Sequence, residues 1–145
     1  MVWACVLPVL KRVMPMKSLV GIVWRSARRL ERDAAREERV VTFARWACRL
    51  TGWTRRGNCL ERGLIAYRFL GEGHADPTLV IGVGRGGRGA ITGHAWVLLD
   101  GTPAGESLES VSEYVPVFAF GPDGTLLRSS LESDSIERPS TSSPL

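Results

Sequence analysis

The sequence predicts an α+β fold, with N-terminal helices packed on a small antiparallel sheet. Three observations carry this. Apolar residues recur at helical spacing in two segments of the first half. Short runs rich in β-branched and aromatic residues follow in the second half. Glycine-bearing turns separate those runs.

Taken in order, residues 1–20 are apolar and basic and are broken by Pro8 and Pro15. They read as a short strand or helix piece packed on the body. Residues 21–50 read as helix, with Val40, Phe43, Ala47 and Leu50 as the apolar stripe. Arg28, Arg29, Arg32, Arg36 and Arg39 interleave with Glu31, Asp33, Glu37 and Glu38 on its exposed side. Gly52 marks its end. A second helix runs from Asn58 to Leu70. Asn58 suits the N-cap, and Glu61, three residues on, has capping-box spacing. Leu60, Leu64 and Tyr67 form its stripe, and Gly71 and Gly73 end it. Strands follow at Thr78–Val83, His94–Leu99 and Tyr114–Phe120, with a glycine-rich loop over Gly84–Gly93 and an Asp100-Gly101 turn. From about Leu127 the chain is rich in Ser, Pro and Glu and reads as a disordered tail.

Composition narrows the function classes. A hydrophobic content of 44% in 145 residues suits one domain with one core. The net charge of +4 is uneven: residues 1–50 hold 11 Lys and Arg against 4 Asp and Glu. That basic half either forms a solvated helix face or meets an acidic peptide, nucleic acid or lipid head groups. No nucleic-acid recognition motif accompanies it. Cys5, Cys48 and Cys59 are the 3 cysteines, with no Cys-x-x-Cys pair and only 2 histidines, His74 and His94. This argues against a structural zinc site or a disulfide framework, and implies no cofactor. It favours a reducing, cytoplasmic setting. Val2–Leu10 is too short to span a bilayer and lacks signal-peptide order. Trp3 and Trp24 are candidates for burial in a complex.

The chemistry concentrates at Cys59 and His94. Cys59 opens the second helix, where free backbone N–H groups and the positive end of the dipole favour a thiolate. Arg55 and Arg56 add positive charge nearby in sequence. The same N–H groups suit an oxyanion. With no glutamine in the chain, the backbone must supply most of that function. His94 is placed on a strand, and a strand gives rigid orientation. His74 falls in a loop. Cys5 and Cys48 fit burial as small hydrophobes. A third group should orient the imidazole. The sole asparagine, Asn58, is already assigned as a cap. Glu106 faces His94 if Leu99-Asp100-Gly101 is a three-residue loop, which pairs 98 with 102 and 94 with 106. A two-residue Asp100-Gly101 turn would instead set Ser107 opposite His94. Asp100 is the fallback acid, although six residues along a strand is roughly 20 Å. Gly82-Val83-Gly84-Arg85-Gly86-Gly87 matches Gly-x-Gly-x-x-Gly, but a dinucleotide site needs a helix next, and a strand follows instead. A loop lining a peptide cleft suits this segment better.

Asn58-Cys59-Leu60-Glu61-Arg62-Gly63-Leu64, then Leu79-Val80-Ile81-Gly82-Val83, then Gly93-His94-Ala95-Trp96-Val97 resembles the lasso-peptide B protein family over about residues 40–120. These are transglutaminase-like, papain-like cysteine peptidases, and the chain looks like the split form without a fused leader-recognition domain. The resemblance implies Cys59 as nucleophile and His94 as base. The family acid is usually an aspartate after the Asp-Gly turn, and Glu106 stands at that place here. Leu98 stands where the family often has glutamate. The implied reaction is leader removal from a lasso-peptide precursor at the leader–core junction. The implied partners are the precursor, a separate leader-recognition protein and an ATP-dependent lasso cyclase. With composition setting the outer boundaries, the expected organisation is an N-terminal segment (1–20), a transglutaminase-like peptidase domain (21–126) and a tail (127–145). An acyltransferase that resolves the thioester with an amine would use the same residues; a non-catalytic peptide-binding module is the other reading, and intact Cys59, His94 and Glu106 argue against it.

Overall fold

The computed structural model describes residues 2–24, 32–50, 59–72, 75–87 and 90–129. Four helices precede the sheet: α1 (Val2–Val13), α2 (Met16–Val23), α3 (Ala34–Leu50) and α4 (Cys59–Gly71). The sheet comprises β1 (Thr78–Arg85), β2 (Ile91–Leu99), β3 (Thr102–Pro103), β4 (Tyr114–Phe120) and β5 (Leu126–Ser129), with a short helix α5 (Leu108–Ser112) before β4. The α+β expectation is met.

The strand order is β3-β2-β1-β4-β5, with every neighbouring pair antiparallel. Alternation along β1 and β2 sends side chains to two unlike faces. On one face Leu79, Val97 and Phe120 meet Leu7 of α1, Leu19, Val20 and Val23 of α2, Ala44 and Cys48 of α3, and Leu64, Tyr67 and Leu70 of α4. The other face holds a smaller cluster of Val80, Trp96 and Val111, with Leu98 and Tyr114 against it. Leu98 is therefore a packing residue of this second face. α1 and α2 belong to the same core as the sheet, which follows from the apolar content of residues 1–20.

Several local expectations are corrected. Residues 21–50 are not one helix: α2 ends at Val23, Trp24 turns extended (φ −67, ψ 112), and α3 begins at Ala34. Asp33 caps α3 by accepting from the Ala35 N–H at 2.9 Å, and its other oxygen lies 3.6 Å from Arg39 Nη2, so it is both a cap and a member of the exposed charge row. The inward face of α3 is Ala44, Ala47 and Cys48, whereas Phe43 is 39% exposed. Burial pushes the Cys48 thiol up, and the nearby Glu61 charge adds to this. Trp24 packs its ring on Tyr67, with centroids 5.1 Å apart. The strands reach further than expected, taking 84–85 and 91–93 from the glycine-rich loop. Residues 127–129, assigned to the tail, are in β5 and pair with β4. The Asn58 cap, Arg55, Arg56, Gly52, His74, the Cys5 and Trp3 side chains and residues 130–145 lie outside what is described.

Candidate active site

Cys59 is the first residue of α4, so it lies at the end where a helix leaves N–H groups without intrahelical partners. The helix is held there from behind. Leu64 and Tyr67 are completely buried. The Tyr67 hydroxyl donates to the Gly121 carbonyl at 2.5 Å and accepts from the Gly124 N–H at 3.0 Å. Glu61, one turn into α4, is 4% exposed and pairs with Lys11 of α1. Its carboxylate thus joins two helices; the Asn58 side of the capping box lies outside the described residues. Glu61 Oε2 is buried without a hydrogen-bond partner among the described residues.

The Cys59 Sγ lies 3.9 Å from the carbonyl oxygen of Gly93, next to His94 in β2. The nucleophile candidate therefore sits against the strand that carries the base candidate. His94 packs in a cluster of three aromatic rings: its imidazole is stacked with Trp96 (5.8 Å, 19°) and tilted against Tyr114 (4.8 Å, 31°), and those two rings are 6.4 Å apart. Glycines leave room for those rings. A Cβ at Gly82, the cross-strand partner of His94, would stand 2.9 Å from the Trp96 ring and 2.9 Å from the Val115 carbonyl. A Cβ at Gly84 would stand 2.9 Å from the Tyr114 ring. The Gly-x-Gly repeat is thus accounted for by close packing of aromatic rings in the sheet.

Glu106 reaches the imidazole, with its Oε2 2.6 Å from His94 Nε2. The route differs from the one expected. Leu99 pairs with Thr102 and Leu98 with Pro103, so the loop is the two-residue Asp100-Gly101 turn. Both turn residues have positive φ (50° and 79°), the combination that closes a tight hairpin. That register would have set Ser107 opposite His94. However, β3 ends after Pro103, the Ala104 N–H donates to the Val97 carbonyl, and the chain bends at Gly105 (φ 74°). A Cβ at Gly105 would be 2.2 Å from Val41 Cγ1 of α3, so the bend is pressed against that helix. The bend returns Glu106 to β2, and Ser107 instead caps α5 by accepting from the Ser110 N–H at 3.2 Å.

Asp100, the fallback acid, is elsewhere. Its side chain is 70% exposed and bound to Arg32 at 2.5 Å and 3.2 Å. The Arg32 guanidinium holds the Asp100 carboxyl below the usual carboxylate range. Sequence reasoning passed over Arg62. Its Nη2 lies 2.5 Å from Glu106 Oε1, so Glu106 is gripped on both oxygens. The available signal was spacing, since Arg62 follows Cys59 by three residues on one helix. A small cavity behind Glu106 is lined by Val41, Arg45, Arg62, Ala95 and Trp96. Among the described residues no cluster of three or more His, Cys, Asp or Glu could hold a metal. No described helix is long and apolar enough to cross a membrane.

A family model described as transglutaminase-like superfamily matches residues 4–119. No curated protein matches the chain, and no solved structure does.

Proposed function

The chain belongs to the transglutaminase-like superfamily, and from that premise we propose that it is a cysteine peptidase that removes the leader of a lasso-peptide precursor at the leader–core junction. The observation that carries this is the contact of His94 Nε2 with Glu106 Oε2 at 2.6 Å, made beside a cysteine at a helix start. A carboxylate on Nε2 leaves Nδ1 as the ring nitrogen for the thiol proton. Thiol–imidazole bonds in unliganded sites are often long and tighten when substrate binds.

On this reading the Cys59 thiolate adds to the carbonyl carbon of the scissile bond, and N–H groups at the start of α4 receive the oxyanion. His94 gives its proton to the departing core amine as the C–N bond breaks. It then takes a proton from water, which hydrolyses the thioester and releases the leader as its acid. Glu106 orients the imidazole throughout. The freed core amine is the group that an ATP-dependent lasso cyclase would join to a side-chain carboxyl, and a separate leader-recognition protein would deliver the precursor. The cytoplasmic setting belongs to the same proposal.

The test is mass spectrometry of a linear precursor incubated with the protein and its leader-recognition partner, beside Cys59→Ala. A single cut at the junction, lost in the variant, supports the peptidase. An isopeptide-crosslinked product without shortening would assign the same residues to an acyltransferase. Bound but unaltered peptide would leave a binding module.

A further inference from the structure

Glu106 is held by two donors from two elements. Arg62 of α4 takes Oε1 at 2.5 Å, and His94 of β2 takes Oε2 at 2.6 Å. The three side chains are 28%, 16% and 16% exposed in the order Arg62, Glu106, His94, so water competes little for these contacts. A glutamate has one more rotatable bond than an aspartate and would swing freely from the Gly105 bend. The guanidinium removes that freedom.

We propose that Arg62 is a positioning residue: it fixes the orientation of the residue-106 side chain and holds it on His94 Nε2, and so secures which imidazole nitrogen carries the proton. This rests on the reading of Cys59 and His94 as nucleophile and base. The physical reason lies in donor inventory. A guanidinium only donates, so it always claims an acceptor oxygen. With a carboxylate both ends are acceptors, and the second oxygen faces His94 and holds the Nε2–H form. The proton is then off Nδ1, which stays able to accept from the thiol. Helix α4 therefore supplies both the nucleophile and, three residues later, the anchor of the acid that prepares the base.

The inference makes a directional forecast for Glu106→Gln. The introduced amide has one oxygen and one NH₂ group. If Arg62 dictates orientation, the oxygen turns to Arg62 and the NH₂ donates to Nε2, which must then accept. The imidazole proton moves to Nδ1, the wrong nitrogen for taking a proton from a thiol. If Arg62 is a bystander, the amide oxygen turns to His94 and the Nε2–H form remains.

The experiment is long-range ¹H–¹⁵N correlation spectroscopy of the imidazole in the full chain, with His74→Gln leaving one histidine to read. The expected result is Nε2–H with Glu106 intact, a switch to Nδ1–H in Glu106→Gln, and a return to Nε2–H when Arg62→Met is added. Persistence of Nε2–H in Glu106→Gln overturns the inference. Should Glu106→Gln fail to fold, Arg62→Met alone decides: a mixture of tautomers that Arg62→Lys restores to one supports it, and an unaltered Nε2–H signal overturns it. The readout needs no substrate. Alkylation of Cys59 by iodoacetamide in the same samples separates the two claims. A tautomer switch that leaves the Cys59 rate unchanged keeps Arg62 as the positioning group and removes the nucleophile–base reading.

Discussion

Replacing Tyr67 by phenylalanine tests how α4 is seated. The Tyr67 ring is fully buried against Trp24, and phenylalanine keeps that packing. What is lost is the hydroxyl, which bonds the Gly121 carbonyl and the Gly124 N–H. Those two backbone groups also face each other at 3.2 Å, so neither is stranded by the change. The loss is two hydrogen bonds at about 1 kcal/mol each, or about 1–3 kcal/mol in total. A second signature is pH. Burial pushes the Tyr67 hydroxyl up to about 12, from an ordinary value of about 10. Because the folded value is the higher one, the unfolded chain ionises first as pH rises. Stability from Tyr67 is therefore intact below about pH 10 and is lost as pH rises towards 12, by about 2–3 kcal/mol. Urea unfolding of both proteins between pH 7 and pH 12 measures this. The two stability curves should lie apart at pH 7 and converge above pH 10. Curves that stay parallel across that range would refute the assignment of the buried hydroxyl.

Three further outcomes are expected. Glu106→Ala should abolish junction cleavage while Asp100→Asn leaves it near the wild-type rate, because Asp100 faces Arg32 and solvent; equal losses in a cleavage assay would reinstate Asp100. Gly82→Ala should cost about 1–3 kcal/mol in urea unfolding, since its Cβ meets the Trp96 ring and the fixed Val115 carbonyl at 2.9 Å, and should alter the near-UV tryptophan signal. Lys11→Met should destabilise by about 3 kcal/mol, the low end for a broken buried pair because Lys11 is partly exposed; adding Glu61→Leu should recover most of this, and a strictly additive double mutant would count against the pairing.

The order of elements was legible because helix and strand periods differ and the turns carry their own residues. The failures are of three kinds. Periodicity located α3 and placed Val40 and Ala47 on its inward side, but it took Phe43, which is 39% exposed, for core and passed over Ala44, whose small size hides its burial. Short elements carry weak signals: β3 has two residues, α5 five and β5 four. Long-range contacts leave no local trace. Arg62 and Glu106 are 44 positions apart, and the space beneath Trp96 and Tyr114 comes from Gly82 and Gly84 on another strand.

The pairing of His94 with Glu106 was anticipated, although the register that led to it was not the one that forms. A two-residue hairpin moves the partner of His94 by one position, which by strand alternation alone would turn Glu106 to the opposite face. The chain avoids this by leaving the ladder after Pro103, which has no N–H to continue it, and by bending at Gly105 against Val41. An aspartate at position 106 would end about 1.5 Å short of the same place. The longer side chain and Arg62 thus compensate one another: glutamate supplies reach across the irregular bend, and the guanidinium removes the freedom that comes with it. Glu106→Asp should then lose cleavage more than Arg62→Lys does, since reach cannot be restored by an anchor, whereas a shorter-lived anchor still orients a side chain that arrives.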